Sequence, residues 1–151
     1  MSSEIASPPS PAGGPSPAWA STSRFWQRVQ RRYADVAALL PPGQPTASTM
    51  AQALAQLLAQ GQELGAALRI LRQLVVARVL ERDCAGQASL AEVTASMTAL
   101  AELALDAACT QAQTVLSQRH GQPQGPHGQV VPLWIVGMGK LGARELNVSS
   151  D

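Results

Sequence analysis

The sequence is poor in rings, in charge and in cysteine. Aromatic residues make up 3% of its 151 residues and charged residues 14%. Lys and Arg number 11 against 10 Asp and Glu, a net charge of +1. No field of one sign is therefore present to draw nucleic acid or an anionic lipid surface. Two cysteines, Cys84 and Cys109, are too few for a disulfide scaffold or a Cys-rich zinc site. No apolar run approaches the roughly 20 residues that span a bilayer. No internal repeat of fixed period is visible. What the chain does have is alanine, 26 residues within a 46% hydrophobic content. Ala and Leu with few rings and few β-branched residues predict helix packed on helix. The length suits one domain, or one domain and a tail. A compact chain of this size buries roughly 70% of its unfolded surface.

Met1–Ala20 holds five of the eleven prolines among Ser, Gly and Ala. Such a stretch buries too little to offset its ordering entropy, so residues 1–20 are expected to be a disordered leader. It has neither a basic start nor an apolar h-region, and it is poor in Arg, so the protein reads as cytoplasmic. Residues 21–121 read as helical. Phe25, Val29, Tyr33, Val36 and Leu40 recur at helical spacing and predict a helix near 23–40, ended by Pro41-Pro42-Gly43. A second helix is expected near 48–60, with Met50, Leu54, Leu57 and Leu58 inward. A third is expected near 62–83, on the stripe Leu64, Leu68, Leu71, Val75 and Val79, widened by Leu74. Its Arg69, Arg72, Arg78 and Arg82 read as a solvated face, or else as a docking surface. The fourth, near 89–119, opens on the capping-box spacing of Ser89 and Glu92. Val93, Met97, Leu100, Ala104, Ala107 and Val115 are expected to face the core, with Cys109 a buried, inert thiol. His120 and His127 fall in a polar Gly/Pro loop and lack the further ligands a metal needs.

From Gln129 the texture changes. Val130-Val131-Pro132-Leu133-Trp134-Ile135-Val136 is a continuous, β-branched run and predicts a strand near 129–136 buried on both faces. It leads into Gly137-Met138-Gly139-Lys140-Leu141-Gly142-Ala143-Arg144-Glu145-Leu146-Asn147-Val148-Ser149-Ser150-Asp151. Gly137, Gly139 and Gly142 match G-x-G-x-x-G, so one reading is a dinucleotide-binding turn. That reading requires an apolar crossover helix next, and a short polar run stands there instead. A second reading is a nucleotidyltransferase site: a Gly-rich turn after a strand holds phosphate oxygens, and a D-x-D pair soon after holds two Mg²⁺ ions. A third is a helical interaction module without chemistry.

The run Gly137–Asp151 closely resembles the signature of the bacterial glutamine-synthetase adenylyltransferase/adenylyl-removing enzymes, in the copy carried by their amino-terminal half. The Arg-rich third helix, ending Arg82-Asp83, is similar in layout too. The resemblance implies a mainly α fold, a bundle of about four helices leading into the first strand and Gly-rich turn of an α+β nucleotidyltransferase domain of the DNA polymerase beta type, begun at 129–151. It implies removal of AMP from a tyrosine of glutamine synthetase by phosphorolysis, and addition of AMP from ATP by a second half. The implied cofactors are Mg²⁺ with ATP, ADP and inorganic phosphate. The implied partners are glutamine synthetase and a PII-type nitrogen signal protein. Asp151 is the implied metal-ligating and catalytic carboxylate. Gly142 and Ala143 make the phosphate turn, and Gly139, Lys140 and Ser150 complete the nucleotide-binding set. Gly137 and Gly139 are expected to let the strand end pack beneath that turn. Arg144 and Glu145 are expected to pair locally or face solvent. Two departures stand out: Ala143 occupies a position the family fills with a smaller residue, and the second aspartate of D-x-D is not in the chain. The expectation is an amino-terminal fragment of a longer protein, inactive by itself.

Overall fold

A computed structural model describes residues 18–149. The expected leader therefore lies outside the described residues up to Pro17, but its last residues do not behave as a leader. Ala18–Thr22 forms a short helix, α1, with Ala20 buried. The indole of Trp19 meets that of Trp26 edge-on at 5.5 Å, and Gln27 Nε2 donates to the Ala20 and Ser21 carbonyls. Helix α2 follows as Arg24–Arg32, capped by the Ser23 hydroxyl, which accepts from the Trp26 amide.

The helix expected near 23–40 is interrupted. At Tyr33 the backbone leaves the α region, and Ala34–Leu39 winds as a 3-10 turn. Its far end has a local cause: Leu40 precedes Pro41, which disfavours the helical conformation there, and Leu40 is extended, with φ −110° and ψ 102°. The tighter winding still delivers Leu40 to the core, only 2% exposed. Helix α3 (Ala47–Ala59) begins in a capping box between Thr46 and Thr49. Helix α4 spans Leu64–Cys84 and α5 spans Leu90–His120, the latter opened by the Ser89–Glu92 capping box.

The core is built where α2, α3, α4 and the first part of α5 meet. Val29, Leu40, Met50, Ala53, Leu54, Leu57, Leu71, Val75, Val79, Met97 and Leu100 are all buried in it. Leu58, expected inward, is exposed, and Ala53 takes its place. The apolar face of α3 is centred one residue-step away from where its leucines suggest. On α5 burial stops at Leu100. Leu103 and Ala107 are half-buried against the core, but Val115 is 58% exposed. Length explains this: α4 has 21 residues and α5 has 31, about 31 Å against about 46 Å. The end of α5 extends past its partner.

Two of the four arginines of α4 are structural rather than solvated. Arg78 Nη2 donates to the Leu40 carbonyl at 3.0 Å and Nη1 pairs with Glu81. Glu81 accepts in turn from Trp26 Nε1 at 3.3 Å. Arg82 Nη2 bridges the Gln87 carbonyl and Glu92, both at 2.8 Å. Arg69 and Arg72 remain exposed.

Helices α3 and α4 end alike. Gly61 and Gly86 hold positive φ, of 85° and 66°. In each case the next amide donates back five residues, Gln62 to Leu57 and Gln87 to Arg82. This is the Schellman closure, which needs a left-handed residue just past the helix end.

Val130–Val136 forms no strand among the described residues. Its only pairing is an isolated antiparallel bridge between Gln124 and Val130. A strand exists through the neighbour that completes its ladder, and no described segment pairs with this one beyond that bridge. Its side chains are exposed rather than buried, with Trp134 and Val136 at 81%.

Candidate functional site: a glycine turn against helix α5

The turn begins at Gly137 and closes within nine residues. Gly139–Gly142 makes a single helical turn, α6, with Met138 before it and no side chain capping it. Each glycine has its own steric reason. Gly139 has φ +56° and open space around it, so backbone conformation alone selects it. Gly142 is selected by crowding: a Cβ there would lie 2.5 Å from the Gly137 carbonyl oxygen and 3.1 Å from its carbon. At Gly137 a Cβ would come 3.1 Å from Leu141 Cγ.

The exit from α6 repeats the closure of α3 and α4 with a different residue. Arg144 donates its amide to the Leu141 carbonyl at 3.1 Å, and Glu145 to the Lys140 carbonyl at 2.7 Å. The left-handed position is Arg144, φ 60°, the one non-glycine with positive φ among the described residues. The amides of Gly142 and Ala143 also donate within the turn, to Met138 at 3.3 Å and Gly139 at 2.9 Å. The amides at the start of α6, from Gly139 to Leu141, have no carbonyl one turn earlier to receive them.

Beside the turn lies an open groove of about 630 Å³. One wall is α5, through Glu102, Leu105, Asp106, Cys109, Thr110 and Gln113. These recur at spacings of three and four and so share one helix face, distinct from the face that carries Met97 and Leu100 into the core. The other wall is Leu133, Ile135, Val136 and Gly137 with Leu141, Gly142 and Arg144. Cys109 is therefore half-exposed in this groove rather than buried. Arg144 spans the two walls. Its Nη1 meets Glu102 Oε1 at 3.1 Å and its Nη2 meets Oε2 at 3.4 Å, so it pairs across the groove and not with Glu145. Leu146, just beyond, packs against the bundle core.

Of the residues singled out in the sequence, Gly139, Lys140, Gly142 and Ala143 stand together in the turn, with the Lys140 side chain exposed. Ser149 Oγ donates to Asn147 Oδ1 at 3.1 Å. Ser150 and Asp151 lie outside the described residues. Among the described residues no group of three or more His, Cys, Asp or Glu is placed to hold a metal, and no helix is long and apolar enough to cross a membrane. The sequence reading missed Glu102. Its partner lies 42 residues away, and Glu102 itself carries no local motif.

The family model for glutamate-ammonia ligase adenylyltransferase matches residues 20–151. Curated relatives carry the name bifunctional glutamine synthetase adenylyltransferase/adenylyl-removing enzyme. That of Ralstonia nicotianae is 54% identical over 91 residues, 60% of this chain and 10% of its own. That of Burkholderia mallei is 50% identical over 104 residues, 65% of this chain and 11% of its own. That of Aromatoleum aromaticum is 46% identical over 135 residues, 87% of this chain and 14% of its own. The chain thus spans about a tenth of the length of these relatives. No solved structure matches it.

Proposed function

The chain belongs to the glutamate-ammonia ligase adenylyltransferase family, and on that premise we propose that it serves the adenylyl-removing reaction on glutamine synthetase. An oxygen of inorganic phosphate attacks the phosphorus of AMP held on a tyrosine. The bond from that phosphorus to the tyrosine oxygen breaks, ADP leaves, and the tyrosine hydroxyl takes a proton. Addition of AMP from ATP, and response to a PII-type signal protein, belong in this reading to the remainder of a longer polypeptide. The observation that carries it is the family match over residues 20–151, which runs through the Gly137–Gly142 turn.

In this reading the turn is the phosphate-facing element of a nucleotidyltransferase domain. The amides at the start of α6 and the exposed Lys140 ammonium supply donors and positive charge to phosphate oxygens. Gly142 and Ala143, whose amides close the turn, hold its shape, and Ser150 flanks the approach. Asp151 is the carboxylate assigned to Mg²⁺. A metal held there would supply charge neutralisation at the transferring phosphoryl group. The described residues do not by themselves fit the ion, since Mg²⁺ takes several positioned oxygens and no acidic cluster is present among them.

The test is phosphate-dependent release of ADP from adenylylated glutamine synthetase, in the full-length protein with Mg²⁺. Asp151→Asn should nearly abolish release with the helical bundle still folded by circular dichroism. The 151 residues alone should be inactive. Near-normal release by Asp151→Asn, or turnover by the short chain, would overturn the assignment.

A further inference from the structure

The Gly-rich turn has few holds on the bundle. α6 buries none of its own residues, and the wall leading into it, Leu133 to Val136, is exposed. Among the described residues, two contacts join the segment around the turn to the bundle. Leu146 packs on the core behind it, and Arg144 makes the two-pronged pair with Glu102 of α5 in front. Arg144 is also an unexpected residue for its place. The equivalent positions after α3 and α4 are Gly61 and Gly86, and a side chain in the left-handed region is costly in itself. A glycine would close the same hydrogen bonds without that cost, but it would carry no guanidinium to α5. The planar fork of Arg matches both oxygens of one carboxylate and so fixes direction as well as distance.

We propose that Glu102 is a positioning residue: from α5 it holds Arg144, and through it the Gly137–Gly142 turn, in the register needed for nucleotidyl transfer. This rests on the functional reading above. Glu102 touches no reacting atom in this scheme. It fixes where the turn stands relative to the bundle, and misplacement of a substrate-positioning element lowers rate rather than protein-substrate binding.

The experiment uses the full-length protein with Arg144→Gly, Glu102→Arg and the exchanged pair Glu102→Arg/Arg144→Glu. Arg144→Gly is the decisive variant, because it relieves the left-handed conformation and keeps the closure while deleting the pair. The expected result is about a twofold to fivefold fall in kcat for ADP release in each single variant, the scale of an exposed ion pair. KM for adenylylated glutamine synthetase and the melting temperature should stay unchanged. The exchanged pair should recover most of the loss. Wild-type kcat in Arg144→Gly, or an exchanged pair no better than Glu102→Arg, would overturn the proposal. Amide hydrogen exchange separates this from the functional reading. Arg144 and Glu145 amides should exchange several-fold faster in Glu102→Gln, whether or not the protein turns over. Unchanged exchange would overturn the hold of Glu102 on the turn, whereas faster exchange in a protein inactive towards glutamine synthetase would overturn only the function.

Discussion

Substituting Gly142 by alanine isolates what the turn owes to close backbone approach. The added Cβ would stand 2.5 Å from the Gly137 oxygen and 3.1 Å from the Gly137 carbon. Both are backbone atoms, so no rotamer change relieves the contact, and the chain itself must move. Overpacking of this kind costs about 1–3 kcal/mol. Against it, alanine is the better helix former by about 1 kcal/mol. With a contact this short the cost falls at the upper end, leaving about 1–2 kcal/mol against the closed turn. That is a factor of about 5–30 in the ratio of closed to open. The assay is native-state hydrogen exchange at the amides of Arg144 and Glu145, which donate to Leu141 at 3.1 Å and Lys140 at 2.7 Å. Both should lose protection by that factor, while the thermal midpoint of the bundle barely shifts, since α6 contributes no buried residue. Unchanged or increased protection would refute the crowding argument.

Three further outcomes follow from the bundle. Gly65→Ala in α4 meets only Arg69 Nη1, at 3.5 Å, and should stabilise by about 0.5–1 kcal/mol, read as a rise of a few degrees in the thermal midpoint. Arg78→Met removes the donor to the buried Leu40 carbonyl and the partner of Glu81; a loss of about 1–3 kcal/mol is expected in chemical denaturation. The Ser89 amide, and then Arg82, hold the Glu92 carboxyl below the usual carboxylate range. A group depressed in the folded state adds stability above its unfolded pKa and loses it as pH falls through the folded value. Glu92→Gln should therefore flatten the acid side of a stability-against-pH curve, and an unchanged acid slope would count against that bond.

The helices were legible because their ends are written in short range. Ser89 with Glu92 opens α5, and Gly61 and Gly86 close α3 and α4 in the way their chemistry requires. The break at Tyr33 was not, because Phe25 to Leu40 keeps one spacing through both the α and the 3-10 segments. Val115 shows another limit. Periodicity tells which face a residue takes, and not whether a neighbouring helix reaches that far. The glycine motif was visible as a motif, yet its letters do not separate Gly139, chosen by φ, from Gly142, chosen by a carbonyl. Val130–Val136 reads as a buried strand from composition, but burial and pairing are properties of neighbours, and the described residues supply one bridge. Arg144 and Glu102 meet only in three dimensions.

Helix α5 serves two masters along one unbroken ladder of hydrogen bonds. Its fully buried side chains end at Leu100, with Leu103 and Ala107 half-buried on the core side, while from Glu102 to Gln113 another face is a wall of the groove. The two tasks are therefore locked in phase. One residue inserted after Leu100 would advance every later side chain by about 100° around the axis and about 1.5 Å along it. Met97 and Leu100 would stay in place while Glu102 swung away from Arg144. The chain between His120 and Gln129 is different, since a loop absorbs added length at small entropic cost. Residue identity is thus negotiable over much of α5, but the count of residues between its core and its groove is not.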